Sequence, residues 1–204
     1  MAAVQAATFC MHHIYHTKAI VLASWNVGEA NKRLTLFTRD MGMLTATVQG
    51  IRHGKSKLRF ALQDFSLAHV DLVRGRDVWR VTSARPIESF ATRALSKDTG
   101  TLIKHSAELL LRLYRGEDPH PELFDEVLGL IYGFDALEIS PQDLKHFEII
   151  AILRILFHLG YYAPTTQTQT FLTHPLTTDL IAQATMSRAV LLQEVQKSLE
   201  VSQL

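Results

Sequence analysis

Residues 34–59 read LTLFTRDMGMLTATVQGIRHGKSKLR, and the way this stretch folds decides the rest. LTLFT (34–38) is short, apolar and rich in strand-favouring residues. Arg39-Asp40-Met41-Gly42 follows, with Asp and Gly where a tight hairpin turn favours them. MLTATVQ (43–49) alternates Leu44, Ala46 and Val48 with polar neighbours, the period of a half-buried strand. The chain then enters GIRHGKSKLR (50–59), which holds Arg52, Lys55, Lys57 and Arg59, with His53 among them and no acid. Gly50 and Gly54 bracket its first half and disfavour a regular helix or strand there. Taken alone, such a loop is a solvated charged surface, because Lys and Arg are rarely buried.

Working outward, residues 15–24 (YHTKAIVLAS) predict a strand and 25–29 (WNVGE) a turn. Downstream, 63–73 predicts a fourth strand, with Phe65, Leu67, Val70 and Leu72 as its inward residues. Arg74-Gly75-Arg76-Asp77 makes a turn, and 78–83 (VWRVTS) a fifth strand with Trp79 in the core. Short strands separated by turns suggest a small barrel or sandwich. A five-stranded Greek-key barrel of the OB type fits this size, and an SH3-like barrel fits the same pattern.

At Arg85-Pro86 the texture changes: glycine becomes scarce and the apolar period becomes helical. Residues 98–114 carry Leu102, Ile103, Ala107, Leu109, Leu110 and Leu113 on one wide face. Pro121 suits the first turn of a second helix, ending near 134. Ser140, Pro141 and Asp143 are helix-start residues for a third, 141–159, which is apolar on nearly all sides and so belongs at the centre of a bundle. Gly160 is placed as its C-cap, and Pro164 prevents continuation. Residues 165–178, rich in Thr and Gln, predict a loop, and 187–199 a last helix. The expected fold is therefore α+β with two domains. A flexible extension (1–13) precedes a five-stranded OB-fold β-barrel (14–86), and an all-α helical bundle (87–204) follows.

The bulk numbers agree with a globular chain. There are 204 residues, 47% hydrophobic and 20% charged, enough for real cores. No apolar run reaches the roughly 18 residues of a membrane span. The single cysteine, Cys10, permits no intrachain disulfide and no cysteine-based zinc site, and fits a reducing cytoplasm. The net charge of +1 hides an asymmetry. Through position 90 there are twelve Lys and Arg against six acids, a balance of +6; beyond it nine stand against fourteen, a balance of −5. A basic unit attracts polyanions through its summed field, and nucleic acid is the commonest such partner.

With the strands placed, several details line up: AIVLAS (19–24), GEANKRL (28–34) into TLFTRDMG (35–42), VQG (48–50) into the basic loop with Ser56, and ALQDF (61–65). Later, His146-Phe147-Glu148 precedes LRILFHLGYYAP (153–164). Over about residues 14–164 this order resembles the RecO family of bacterial recombination mediators. Asp64 stands where that family usually has proline. Many members also carry a four-cysteine zinc insertion after the glycine-tyrosine-proline segment. Here that place is 165–178, without cysteine, so no zinc site of that form is expected. His12, His13 and His16 do not replace it, and no metal or other cofactor is expected.

No enzyme is visible: there is no Gly-rich phosphate loop, no HExxH and no nucleophile elbow. Binding chemistry is better supported. OB folds hold strands with a basic groove along the backbone and aromatic faces against the bases. Arg52, Lys55, Lys57 and Arg59 would line such a groove, with Arg33, Arg39, Arg74 and Arg76 extending it. Phe60 and Trp25 are the candidate stacking residues, with core or turn packing as the alternative for each.

The resemblance implies more: sequence-independent binding of single- and double-stranded DNA, strand annealing, and assistance to RecA loading in homologous recombination and DNA repair. The implied partners are a RecR-like protein and the acidic C-terminal tail of single-stranded DNA-binding protein. Docking that tail needs a base beside an apolar pocket, and Arg112, Arg115 and Arg154 are the candidates; for Arg154 an internal ion pair is the alternative. The protein is expected to be cytoplasmic, nucleoid-associated and monomeric on its own. A protein–protein adaptor whose OB unit binds no nucleic acid, and an RNA-binding OB protein, are the competing readings.

Overall fold

The computed structural model describes residues 13–76, 78–95, 99–137, 139–140 and 142–201. The extension expected at 1–13 lies, but for its last residue, outside them. Five strands come first: β1 (Ile14–Val27), β2 (Asn31–Thr38), β3 (Gly42–Val48), β4 (Ser66–Arg74) and β5 (Trp79–Ser89). They close into a barrel in the order β1-β2-β3-β5-β4, with β4 returning to β1. Every pairing is antiparallel except β3 with β5, where Ala46 faces Trp79 and Thr47 faces Arg80. This order and its one parallel contact are those of the OB fold, which settles the choice against the SH3-like alternative.

A single turn of helix, α1 (Leu58–Ala61), follows the basic loop. The helical part comprises α2 (Ala91–Ala94), α3 (Thr99–Leu113), α4 (Pro121–Ala136), α5 (Leu144–His158), α6 (Gln169–Thr173), α7 (Thr178–Met186) and α8 (Arg188–Val201). As its all-round apolar sequence demands, α5 is the central helix, packed against α3, α4, α6, α7 and α8. It ends as expected on Gly160, at φ +77°, with Tyr161 N–H donating back to the Leu156 carbonyl.

Two cores explain the long apolar run at β1. Ala19 and Val21 point into the barrel with Leu34, Leu36, Leu44 and Val48. Ile20 and Leu22 point outward into a larger core shared with the helices, as do Phe37 and Leu67. A strand buried on both faces loses its alternation. Phe37 meets Tyr114 edge-on at 5.7 Å and Phe124 at 5.2 Å between ring centroids.

Strand β1 runs on to Val27 through residues expected in a turn, because Trp25, Asn26 and Val27 pair with Arg33, Lys32 and Asn31 of a β2 that starts earlier than expected. Other boundaries also differ from expectation for local reasons. Residues 63–65 are not strand: Phe65 takes φ +61°, and β4 begins at Ser66, whose hydroxyl donates to the Ala61 and Gln63 carbonyls. Strand β5 continues to Ser89, past Pro86, which the sheet accommodates opposite a bulge at Leu67/Ala68. The helix α5 proper starts at Leu144, after a turn in which the Ser140 hydroxyl accepts from Asp143 N–H. The Thr/Gln stretch holds α6 and leads into α7, which Thr177 caps by accepting from Leu180 N–H at 3.2 Å.

The β2–β3 turn is where the connection between α3 and α4 docks. Met43 N–H donates to the Gly116 carbonyl at 2.9 Å. Gly42 sits at φ +69°, and a Cβ there would lie 2.5 Å from the Asp118 carbonyl oxygen and 2.8 Å from that of Gly116. Gly42→Ala therefore meets both left-handed strain and backbone it cannot displace cheaply. The expected loss is about 2–3 kcal/mol in urea unfolding. Gly129→Ala is the control: it faces open space in the middle of α4 and should stabilise by about 0.5–1 kcal/mol.

Candidate nucleic-acid interface

The basic loop folds back on the β1–β2 hairpin. Gly50, at φ +66°, turns the chain, and its N–H donates to Asn31 Oδ1 at 2.9 Å. Arg52 N–H donates to the Ala30 carbonyl, and its guanidinium Nη1 to the Gly28 carbonyl, both at 3.0 Å. Successive turns, His53 N–H to Gly50 and Ser56 N–H to His53, carry the chain into α1. Ile51 and Leu62 are buried in the barrel core and anchor the two ends. The charged side chains between them are left outside: Arg52, Lys55, Lys57, Arg59 and Phe60 are all exposed, Phe60 at 72%.

An open cleft of about 390 Å³ results at the barrel mouth, lined by Lys32, Ile51, Arg52, Arg59, Leu62 and Gln63. Three cations and, among the described residues, no carboxylate line it. Lys32 shares the inward face of β2 with Leu34 and Leu36; at the rim that face opens into the cleft, and Lys32 Nζ donates to Ser24 Oγ at 3.2 Å. Lys55 and Lys57 lie on the same loop but do not line the cleft.

Arg33 faces the other way. It pairs across the sheet with Trp25 and with Thr47, and Thr47 with Arg80, so these four form one row on the outer face of β1, β2, β3 and β5. Trp25 is 43% exposed, and the buried Nε of Arg33 has no hydrogen-bond partner among the described residues.

The other expected residues are elsewhere. Arg39 grips Asp125 of α4 with two hydrogen bonds, at 2.7 and 3.0 Å, and holds that carboxyl below its ordinary pKa. Its role here is to tie the barrel to the helices. Arg74 lies over the Trp79 ring and 3.6 Å from Glu117, which also accepts from Trp79 Nε1; Arg76 is exposed near the β4–β5 turn. Neither lines the cleft. Trp79 is core, as expected. Arg112 and Arg115 are exposed, and Arg112 lines a cleft of about 220 Å³ with Leu109 and Leu199. Arg154 is interior, bonded to Glu126 and to two backbone carbonyls, which is the ion-pair alternative and removes it from any surface dock.

Lys32, Gln63 and Arg80 were not among the expected residues. A signal for two of them was present: strand alternation sets Lys32 in phase with Leu34 and Arg80 out of phase with Trp79 and Val81. Among the described residues no cluster of His, Cys, Asp and Glu could hold a metal ion; His16 is paired with Asp71 at 2.6 Å.

Barrel order, cation-lined mouth and helical buttress together define an OB-fold module built onto a helical scaffold. Comparison with known families goes one step further. Residues 11–90 match the N-terminal part of recombination protein O and residues 98–168 its C-terminal part, and the chain belongs to the RecO family. It is 37% identical over 153 residues to a protein of Heliobacterium modesticaldum named DNA repair protein RecO, covering 72% of this chain and 52% of that one. Proteins of the same name from Desulfitobacterium hafniense (30% identity; 72% of this chain, 52% of the relative) and Myxococcus xanthus (33%; 68% and 57%) are similar too. The chain spans about half the length of these relatives. The helices α6, α7 and α8 lie beyond the residues that the family models match.

Proposed function

We propose that this chain binds nucleic-acid backbone at the barrel mouth and acts in DNA repair and recombination. The observation that carries the reading is the convergence of Lys32, Arg52 and Arg59 on one open cleft with no carboxylate among its described lining residues. The outer row of Trp25, Arg33 and Arg80 offers a second track beside it, and Lys55 and Lys57 add charge to the approach. Contacts of this kind hold phosphates and do not read sequence. Two strands neutralised on such a surface repel each other less, so annealing follows from charge alone, without a catalytic residue. On this reading the chain is not an enzyme. It handles single- and double-stranded DNA in the cytoplasm, at the nucleoid, and assists RecA loading with a RecR-like partner. Of the three arginines considered for the acidic tail of single-stranded DNA-binding protein, Arg112 is the one beside an apolar lining. No helix among the described residues is long and apolar enough to cross a membrane.

The test is a salt titration of binding to a labelled single strand. At low salt a dissociation constant of about micromolar or tighter is expected, with log K falling against log salt at a slope of about −2 to −4. A chain that fails to bind at low salt would be the adaptor instead. Preference for an RNA strand of the same sequence over DNA would point to the RNA-binding reading.

A further inference from the structure

The cationic cleft ends against a second groove. Lys32 and Gln63 line both. Beyond them Phe65, Ala91, Ala94 and Leu95 make an apolar floor, and Lys104 of α3 adds a second ammonium. The groove encloses about 320 Å³, inside the roughly 300–1,000 Å³ range of ligand clefts. Its floor has two unusual members. Leu95 is 83% exposed, an uncommon position for a leucine beside a concave apolar surface. Phe65 takes a left-handed conformation that bulky residues avoid. Backbone bonds hold it there: Phe65 N–H to the Val21 carbonyl at 2.7 Å and Phe90 N–H to the Phe65 carbonyl at 2.9 Å.

The two neighbouring sites differ in chemistry. The cleft is cationic and suits an anion. The groove is apolar over Phe65, Ala91, Ala94 and Leu95, and the Asp64 carboxylate on its lining can accept hydrogen bonds from an amino group. A nucleotide has this same division: an anionic phosphate joined to a flat, largely apolar base with amino groups at its edge. Resting on the cleft reading above, we propose that the groove receives an unpaired nucleobase whose phosphate lies on Lys32, Arg52 and Arg59. A duplex keeps its bases stacked and paired, and turning one out costs unpairing energy. The groove therefore makes the chain prefer single strands to duplex at equal phosphate count.

The experiment uses the full chain at low salt with three labelled probes: a mixed-sequence single strand, its duplex, and an equally long strand of abasic sugar phosphates. The unaltered chain should bind the single strand most tightly. Leu95→Ser, at a position too exposed to threaten folding, should weaken single-strand binding by about tenfold and leave the other two probes unchanged. Leu95→Phe should preserve or tighten it. Three results would overturn the groove: an abasic strand bound as well as the normal one, a Leu95→Ser variant with no loss on the single strand, or an equal loss on all three probes. If the unaltered chain bound none of them, the cleft reading itself would have failed, and the groove with it.

Discussion

Replacing Lys32, Arg52 and Arg59 together by alanine is expected to weaken single-strand binding by about 10²–10³-fold at low salt, at about 0.9–1.4 kcal/mol for each of the three contacts. The slope of log K against log salt should become shallower by about 2, one increment of about 0.7 for each phosphate the variant no longer neutralises. Both numbers follow from the three side chains lining one cleft, so that one strand can meet them together. The fold should survive. Arg52 and Arg59 are exposed, and the loop keeps its backbone bonds from Gly50 to Asn31 and from Arg52 N–H to Ala30. Replacing Arg39, Arg74 and Arg76 together removes the same formal charge away from the cleft. That variant should lose much less affinity, because Arg39 and Arg74 already face Asp125 and Glu117. Equal losses from the two triple variants would mean that only net charge matters and that the cleft is no site.

The largest stability effect is expected at Arg154. It is 6% exposed, and its guanidinium donates to Glu126 Oε1 at 3.0 Å, to the Phe171 carbonyl at 2.8 Å and to the His174 carbonyl. One side chain thus ties the central helix α5 to α4 and to both the middle and the C-cap of α6. Arg154→Ala strands a partly buried carboxylate and two carbonyls, and should cost about 3–5 kcal/mol in urea unfolding. Arg154→Met combined with Glu126→Gln should recover part of that, because it removes the uncompensated charge and fills most of the space. Amide exchange in α6 should rise in the single variant before the chain unfolds as a whole. A loss below about 1 kcal/mol would mean that α6 is held by Phe171 packing instead.

Much of this architecture was legible in the residues. The 34–49 hairpin, Trp79 in the core, the centrality of α5 and the Gly160 cap follow from period, turn chemistry and capping, which act within a few residues. The misses have two different causes. The α7 helix was readable locally, from Thr177 as cap and Leu180, Ile181 and Ala184 on one face, but it is short, and the Thr/Gln texture before it masked the start. Phe65 could not be read at all: no local rule puts a phenylalanine at positive φ, and only its bonds to Val21 and Phe90 hold it there.

The candidate site divides along the same line. That residues 50–59 form an exposed basic loop was decided by their own composition, since glycines break regular structure and ammonium and guanidinium groups stay in water. Which cations act together was not. Lys32 joins Arg52 and Arg59 because β2 and β3 meet at the same barrel mouth, and Arg39 leaves the set because α4 brings Asp125 to it across 86 positions of sequence. Charge, turn and period are properties of neighbouring residues and can be read in a string. Pairing between distant charges depends on closing a barrel and docking helices on it, and that is settled only when the whole chain has folded.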